Sequence, residues 1–212
     1  NSTSTLPAVV SVGANQTRLW GLTMAERTAR LARAAGARGD VSDNSGDGAQ
    51  VLANADFAFD PAWFRHVVAT PGLVLTIGDV PVLAHARDAG SALALRDAME
   101  RRKAPETVAG LDLVAFESGP TIEDKLLRKR ETPFIMALRP DTVRTIERAS
   151  YFGAYKGVTD ILTKYLWPEW ALVLTRVAAR LGVTPNMVTA VGAILCVAAT
   201  VAFAFGHYWL GM

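Results

Sequence analysis

No Lys, Arg, Asp or Glu follows Arg180 in this 212-residue chain. Within that uncharged stretch, Met187 to Phe205 consists almost entirely of apolar or small residues. At a rise of about 1.5 Å per residue, such a helix is long enough to cross a hydrocarbon core of roughly 30 Å. A buried core helix is the alternative, but helices of that kind usually span about 10 to 15 residues and keep a polar edge. The sequence therefore predicts one transmembrane helix.

Cysteine and histidine are scarce. The single cysteine, Cys196, lies inside the apolar run, which excludes an intramolecular disulfide and a cysteine-based metal site. The three histidines show no spacing with Cys or acidic residues that is typical of a metal site. The formal charge is only +2 and the aromatic residues do not alternate with basic ones, so no nucleic-acid partner is expected.

The N-terminus also lacks a basic and apolar leader segment. The chain begins with Asn rather than Met, and it stops at Met212, shortly after the predicted span. We therefore expect both ends to lie inside a longer protein.

Apolar runs and helix-capping signatures alternate over residues 1–150. Thr23 with Glu26 three residues later matches a capping box, and Gly78-Asp79 between two apolar runs predicts a hairpin turn. Helices are predicted at Met24–Ala35, from Pro61 onward after the capping residue Asp60, and at Ser91–Lys103, Thr121–Arg130 and Asp141–Ala149; strands are predicted at Pro7–Val12, up to Asp56, and at Leu111–Phe116 and Pro133–Leu138. This alternation indicates a layered α/β domain.

Residues 151–212 form a second predicted domain. Its first part, from Tyr155 to Trp167, is amphipathic and fits a helix lying along a bilayer surface. Pro168 starts a further helix that carries Arg176 and Arg180, and Gly182 ends it. Because basic residues precede the span, the positive-inside rule places the first domain in the cytoplasm.

Two features of the second domain resemble the CDP-alcohol phosphatidyltransferase family. Thr184-Pro185-Asn186 with Thr189 is similar to the mouth of that family's first transmembrane helix, and Lys156 to Asp160 is similar to the K-P-T-D-G segment of members fused to a nucleotidyltransferase. These integral-membrane enzymes transfer a substituted phosphate from a CDP-linked donor to an alcohol and release CMP.

The resemblance implies a multi-pass protein of the inner (cytoplasmic) membrane that acts in phospholipid or related polar-lipid synthesis. It also implies membrane lipid and a CDP-alcohol substrate as partners, a homodimer, and Mg²⁺ or Mn²⁺ as cofactor. Thr184, Asn186 and Thr189 are the residues it places next to the nucleotide. Helix capping by Thr184 and interhelical hydrogen bonding by Thr189 are the alternative roles.

The family's catalytic motifs, D-x-x-D-G-x-x-A-R and G-x-x-x-D-x-x-x-D, are absent from this sequence. In the family, four carboxylates hold the divalent metal beside the diphosphate, and the last one can act as a base on the attacking hydroxyl. The resemblance therefore implies an inactive fragment that stops before the catalytic helices, with no catalytic residue of its own. Selectivity for the acceptor alcohol would also depend on those helices.

The first domain resembles the sugar-phosphate nucleotidyltransferases, which are Rossmann-like. Ser11 to Leu19 stands where that family has L-A-A-G-x-G-x-R-L; Arg18 and Leu19 agree, whereas Ala14 and Gln16 replace both loop glycines. A Cβ at those two positions narrows the available conformations and crowds the phosphate path. A degenerate domain without transfer activity is expected.

This second resemblance implies that Arg18 lies next to the nucleotide and that Asp56, at a strand end, binds metal. Capping of a turn is the alternative role for Asp56. Three functions are then open for the whole chain: the N-terminal part of a CDP-alcohol phosphatidyltransferase, a membrane-tethered nucleotide-binding or nucleotidyltransferase module, and a protein-interaction module with no ligand.

Overall fold

The structure, a computed structural model, describes residues 7–35, 48–105, 110–118, 122–124, 129–131, 133–154, 167–206 and 209. The chain divides into two compact units, Asn1–Lys156 and Gly157–Met212. Most of the predicted amphipathic segment that begins at Tyr155 lies outside the described residues.

The first unit contains a five-stranded mixed sheet in the order β1-β2-β5-β4-β6. Its strands are β1 Ala8–Val12, β2 Gln50–Asn54, β4 Leu73–Ile77, β5 Val80–Ala86 and β6 Asp112–Ala115. β1 runs parallel to β2 and β4 runs parallel to β6, whereas β5 is antiparallel to β2 and β4. The carboxyl ends of β1, β2, β4 and β6 therefore share one edge of the sheet.

Helices cover both faces of this sheet. They are α1 Met24–Ala34, α2 Pro61–Ala69, α3 Ala89–Arg101 and α4 Val143–Ala154. Because side chains alternate along a strand, Val9 packs with residues of α1, α2 and α4, whereas its neighbour Val10 packs with residues of α3. The predicted layered α/β architecture is confirmed at this level.

Local capping signals place several helix starts as predicted. The Thr23 hydroxyl accepts a hydrogen bond from the Glu26 N–H, and the Thr23 N–H donates to Glu26 Oε2 at 2.8 Å. Hydrogen bonds from Thr23 hold the pKa of the Glu26 carboxyl below its usual value. Asp60 caps α2 through the Ala62 N–H, with Pro61 at the first helical position. The predicted hairpin turn at Gly78 also forms, between β4 and β5.

The helix predicted at Thr121–Arg130 is wrong. The structure has two short strands there, β7 Ile122–Asp124 and β8 Lys129–Glu131, which pair antiparallel. Charged residues dominate this stretch and leave too few apolar residues to hold a helix against a core. A further pair, β3 Phe57–Phe59 with β9 Ile135–Ala137, is also antiparallel.

The second unit contains α5 Trp167–Arg180 and α6 Pro185–Ala204. Gly182, with φ of +72°, follows α5, and Thr184 caps α6. α6 has 20 residues, a mean hydropathy of 2.3 over its most apolar window and no buried residue. Within the described part of the chain, it is the helix that is long and apolar enough to cross a membrane.

Candidate functional site

A cleft opens where β1 and β2 end, at the edge shared by the carboxyl ends of the parallel strands. Its volume is about 360 Å³, and it is lined by Asn15, Thr17, Asp56, Phe57, Val80, Arg102, Ala137, Leu138, Arg139 and Pro140. Open α/β sheets bind ligands outside the carboxyl ends of their strands, because the loops there leave a crevice. The cleft is therefore the candidate ligand site of the first unit.

Asp56 is held in the cleft by its backbone. The buried Asn54 side chain accepts the Asp56 N–H at 3.0 Å and donates to the Pro81 carbonyl at 3.1 Å. The Asp56 carbonyl accepts the Leu138 N–H at 2.7 Å. These two hydrogen bonds fix the position of the Asp56 backbone, from which the carboxylate extends. The Asp56 side chain is 30% exposed.

The loop after β1 is tied to Asp56 through Asn15. Asn15 Nδ2 donates to Asp56 Oδ1 at 3.2 Å and to the Leu138 carbonyl at 3.0 Å, while Asn15 Oδ1 accepts the Thr17 N–H at 2.9 Å. Gly13 turns the chain with φ of +98°, a conformation that favours glycine. Ala14 and Gln16, by contrast, have no left-handed φ, so this loop does not require glycine at either position.

Arg102 closes one side of the cleft. It follows α3 in the left-handed conformation, with φ of 52°, and its N–H bonds back to the last turn of the helix. Its Nη2 atom donates to Asp56 Oδ2 at 2.6 Å, and 68% of the side chain is exposed. The site thus contains an ion pair between a helix end and a strand end.

Arg139 is a second arginine among the residues that line the cleft. Its backbone N–H donates to the Thr142 hydroxyl at 2.9 Å, and that hydroxyl donates to the Ala137 carbonyl at 2.8 Å, which fixes the turn before α4. The Arg139 side chain is exposed and makes no hydrogen bond or ion pair with the residues that the structure describes. Among the described residues that line the cleft, two arginines and one aspartate are charged, and their net charge of +1 favours an anionic ligand.

Sequence reasoning found Asp56 but missed Asn15, Arg102 and Arg139. Asn15 stands inside the loop that resembles the nucleotidyltransferase fingerprint, so its place after a strand was a usable signal. Arg102 and Arg139 carry no local signal, since each reaches the cleft only through the fold.

Arg18 lies outside the lining of this cleft. Its Nη1 atom donates to the Gly21 carbonyl at 2.9 Å, and the side chain is exposed. Its role in nucleotide binding stays a prediction.

The residues predicted at the membrane mouth share the first turns of α6. Thr184 Oγ1 accepts the Met187 N–H at 3.4 Å, as a helix cap does, and Thr189 Oγ1 donates to the Pro185 carbonyl at 3.1 Å. Asn186 is exposed, and its side chain makes no hydrogen bond with the described residues. Their contact with a nucleotide stays a prediction.

The surroundings of Asp56 do not form a typical divalent-cation site. Mg²⁺ and related ions take several oxygen ligands, whereas both Asp56 oxygens accept hydrogen bonds from Asn15 and Arg102. In the described ranges, no three His, Cys, Asp or Glu residues lie close enough to hold a metal ion. The predicted metal role of Asp56 has no second carboxylate to support it there.

No protein-family model matches the sequence, and no curated protein matches it.

Proposed function

We propose that this chain is the cytoplasmic domain and first transmembrane helix of a membrane CDP-alcohol phosphatidyltransferase. The full-length enzyme would transfer a substituted phosphate from a CDP-linked donor to an alcohol, release CMP, and serve phospholipid or related polar-lipid synthesis. The observation that carries the proposal is the arrangement of polar groups at the start of α6.

Those polar groups are concentrated at one end of a helix that contains no charged residue. Thr184 is used as the cap and Thr189 is bonded to its own helix, whereas the Asn186 side chain makes no hydrogen bond with the described residues. Asn186 and Thr189 are three residues apart and therefore lie on the same side of α6. A carboxamide there, at the depth of the lipid headgroups, suits a nucleotide that must reach a membrane-embedded reaction centre.

The orientation follows from charge. Arg176 and Arg180 on α5 precede α6, and no Lys or Arg follows it in this sequence. The positive-inside rule then places the first unit and the start of α6 on the cytoplasmic side. Both the first unit with its cleft and Asn186 at the start of α6 would then be exposed to the cytoplasm.

The first unit is proposed as a nucleotidyltransferase-like domain that binds a cytidine nucleotide but no longer transfers it. Its cleft supports this role because it lies at the carboxyl ends of parallel strands and has a net positive charge. Ala14 and Gln16 stand in the loop where the resembling family needs glycines for close phosphate approach.

Mg²⁺ or Mn²⁺ would neutralise the donor diphosphate in such an enzyme, but the carboxylates that hold it in the family have no counterpart in this sequence. The work of this chain is therefore binding and orientation of the donor. The proposal requires an acidic D-x-x-D-G-x-x-A-R motif in the full-length protein after Met212, and a reading frame without one rejects it.

In the full-length enzyme, Asn186→Leu is expected to raise the KM for CDP-diacylglycerol about tenfold, because one hydrogen bond to a charged or polar headgroup is lost. The measurement is CMP release in mixed micelles at varied donor concentration. Met187→Leu, one position further on the same exposed helix, is the matched control and should leave KM unchanged. An unaltered KM in Asn186→Leu removes Asn186 from the donor site.

A membrane-tethered nucleotide-binding module is the second candidate, and the cleft itself favours it because its described lining residues all belong to the first unit. This candidate requires CTP binding to the first unit and a full-length protein that lacks the acidic motif. The two candidates are separated by CMP-releasing activity, which only the first one has.

A further inference from the structure

We infer that the cleft binds the phosphate groups of its ligand through Arg102 and Arg139 without a divalent metal, and that Asp56 is the internal counter-ion which Arg102 leaves when phosphate enters. This inference rests on the proposed function in taking the ligand to be a nucleotide. Its phosphate chemistry also holds for a ligand without a base, such as inorganic pyrophosphate.

The Asp56–Arg102 contact has the properties of a displaceable pair. It is short, at 2.6 Å, but most of the Arg102 side chain is exposed to solvent. Ion pairs with such exposure contribute little to stability because water and salt screen them. A phosphate offers the guanidinium two parallel hydrogen bonds with more negative charge, which is a stronger partner than one oxygen of Asp56.

The side chain of Arg102 is less restrained than that of Asp56. The Asp56 backbone is bonded at both its N–H and its carbonyl, and Asn15 holds the carboxylate oxygen Oδ1. Arg102 has a fixed backbone at the end of α3, but among the described residues its long side chain is restrained only by the ion pair with Asp56. The guanidinium is therefore the group that turns toward a ligand.

Arg139 is the residue expected to attract the phosphate groups of the ligand before Arg102 leaves Asp56. Arg139 lines the cleft, and its side chain has no ion-pair partner among the described residues, so no carboxylate there neutralises its charge before a ligand arrives. Phosphate bound by Arg139 would then compete with Asp56 for Arg102. Thr17, a neutral residue that can donate a hydrogen bond, also lines the cleft.

A metal ion would need the Asp56 carboxylate that Arg102 already occupies. It would also bring two further positive charges into a cleft whose described lining has one aspartate for two arginines. Mg²⁺ is consequently expected to add no affinity for the ligand.

Because Asp56 competes with phosphate for Arg102, replacing Asp56 is expected to raise the affinity of the cleft for phosphate groups. Asp56→Asn keeps an oxygen that accepts from Asn15 but releases Arg102, so pyrophosphate is expected to bind several-fold more tightly. If Asp56 were a metal ligand, the same substitution would weaken binding.

The experiment is calorimetric titration of the full chain in detergent micelles with inorganic pyrophosphate and, separately, with CTP, each with EDTA or with Mg²⁺. Binding of both probes in EDTA is expected, with no gain in affinity from Mg²⁺.

Arg139→Ala and Arg102→Gln should each weaken pyrophosphate binding about tenfold. Arg101→Ala is the matched control, because Arg101 precedes Arg102 but pairs with Asp97 at 2.8 Å; it should bind as the unaltered chain does. Circular dichroism of every variant confirms that the fold is retained.

The outcomes separate this inference from the proposed function. Binding of pyrophosphate but not of CTP would retain the arginine site and reject a nucleotide as its ligand. Binding that requires Mg²⁺, or that weakens in Asp56→Asn, would overturn the metal-free site and leave a nucleotide cleft. The absence of binding of either probe under both conditions would overturn both.

Discussion

Replacing Ile194 and Val197 together with lysine is expected to move the chain from the membrane pellet to the supernatant of an alkaline carbonate wash. Both side chains are exposed, at 67% and 65%, near the middle of α6, and they lie three residues apart on one side of the helix. On insertion scales, each lysine at the centre of a span costs about 2.5–3.5 kcal/mol. Two such residues offset most of the apolar transfer energy of the helix.

The matched control places the same two lysines at the ends of α6, in Met187→Lys with Phe205→Lys. Lysine at a helix end extends its amine to the headgroups, so this variant should stay in the pellet. Extraction of the unaltered chain by carbonate, or a pellet that retains the central double-lysine variant, would reject a transmembrane α6. The proposed membrane orientation of the chain and the proposed contact of Asn186 with the donor would then be rejected as well.

Predictions from the sequence succeeded where the physical signal is local. A threonine hydroxyl and a glutamate carboxylate three residues apart satisfy the same backbone groups in any context, and the Thr23–Glu26 box indeed begins α1. The Gly78-Asp79 turn is equally local, since glycine supplies the positive φ. At residues 121–130 a helix was predicted, but most residues of this stretch are charged, and the structure has the antiparallel strands β7 and β8 there.

The candidate site was only partly predictable, because its pairs are remote in sequence. Asp56 and Arg102 are separated by 46 positions, and Asn15 and Leu138 by 123. An aspartate after an apolar strand is visible in the sequence, whereas its partner depends on where α3 ends over the sheet. The position of Arg102, and with it the charge of the cleft, is therefore a property of tertiary packing.

The packing of α3 on the sheet is also expected to stabilise the first unit. Leu95→Ala is expected to lower the free energy of unfolding by about 2–5 kcal/mol, as truncation of a fully buried leucine does. Leu95 is 0% exposed and packs with Leu52 and Val74 on the face of the sheet that α3 covers. For a unit of this size, the loss corresponds to a fall of about 5 to 15 °C in Tm. Thermal unfolding followed by circular dichroism in detergent micelles measures it.

Leu93 is the matched control, because it lies on the same helix two residues earlier and is 64% exposed. Leu93→Ala removes the same atoms from solvent rather than from the core, so its effect should stay within about 0.5 kcal/mol. Since α3 carries Arg102 at its end, Leu95→Ala should also weaken pyrophosphate binding while Leu93→Ala leaves it unchanged. Equal melting temperatures for the two variants would contradict the packing of α3 on the sheet, and the cleft geometry that depends on that packing would fail as well.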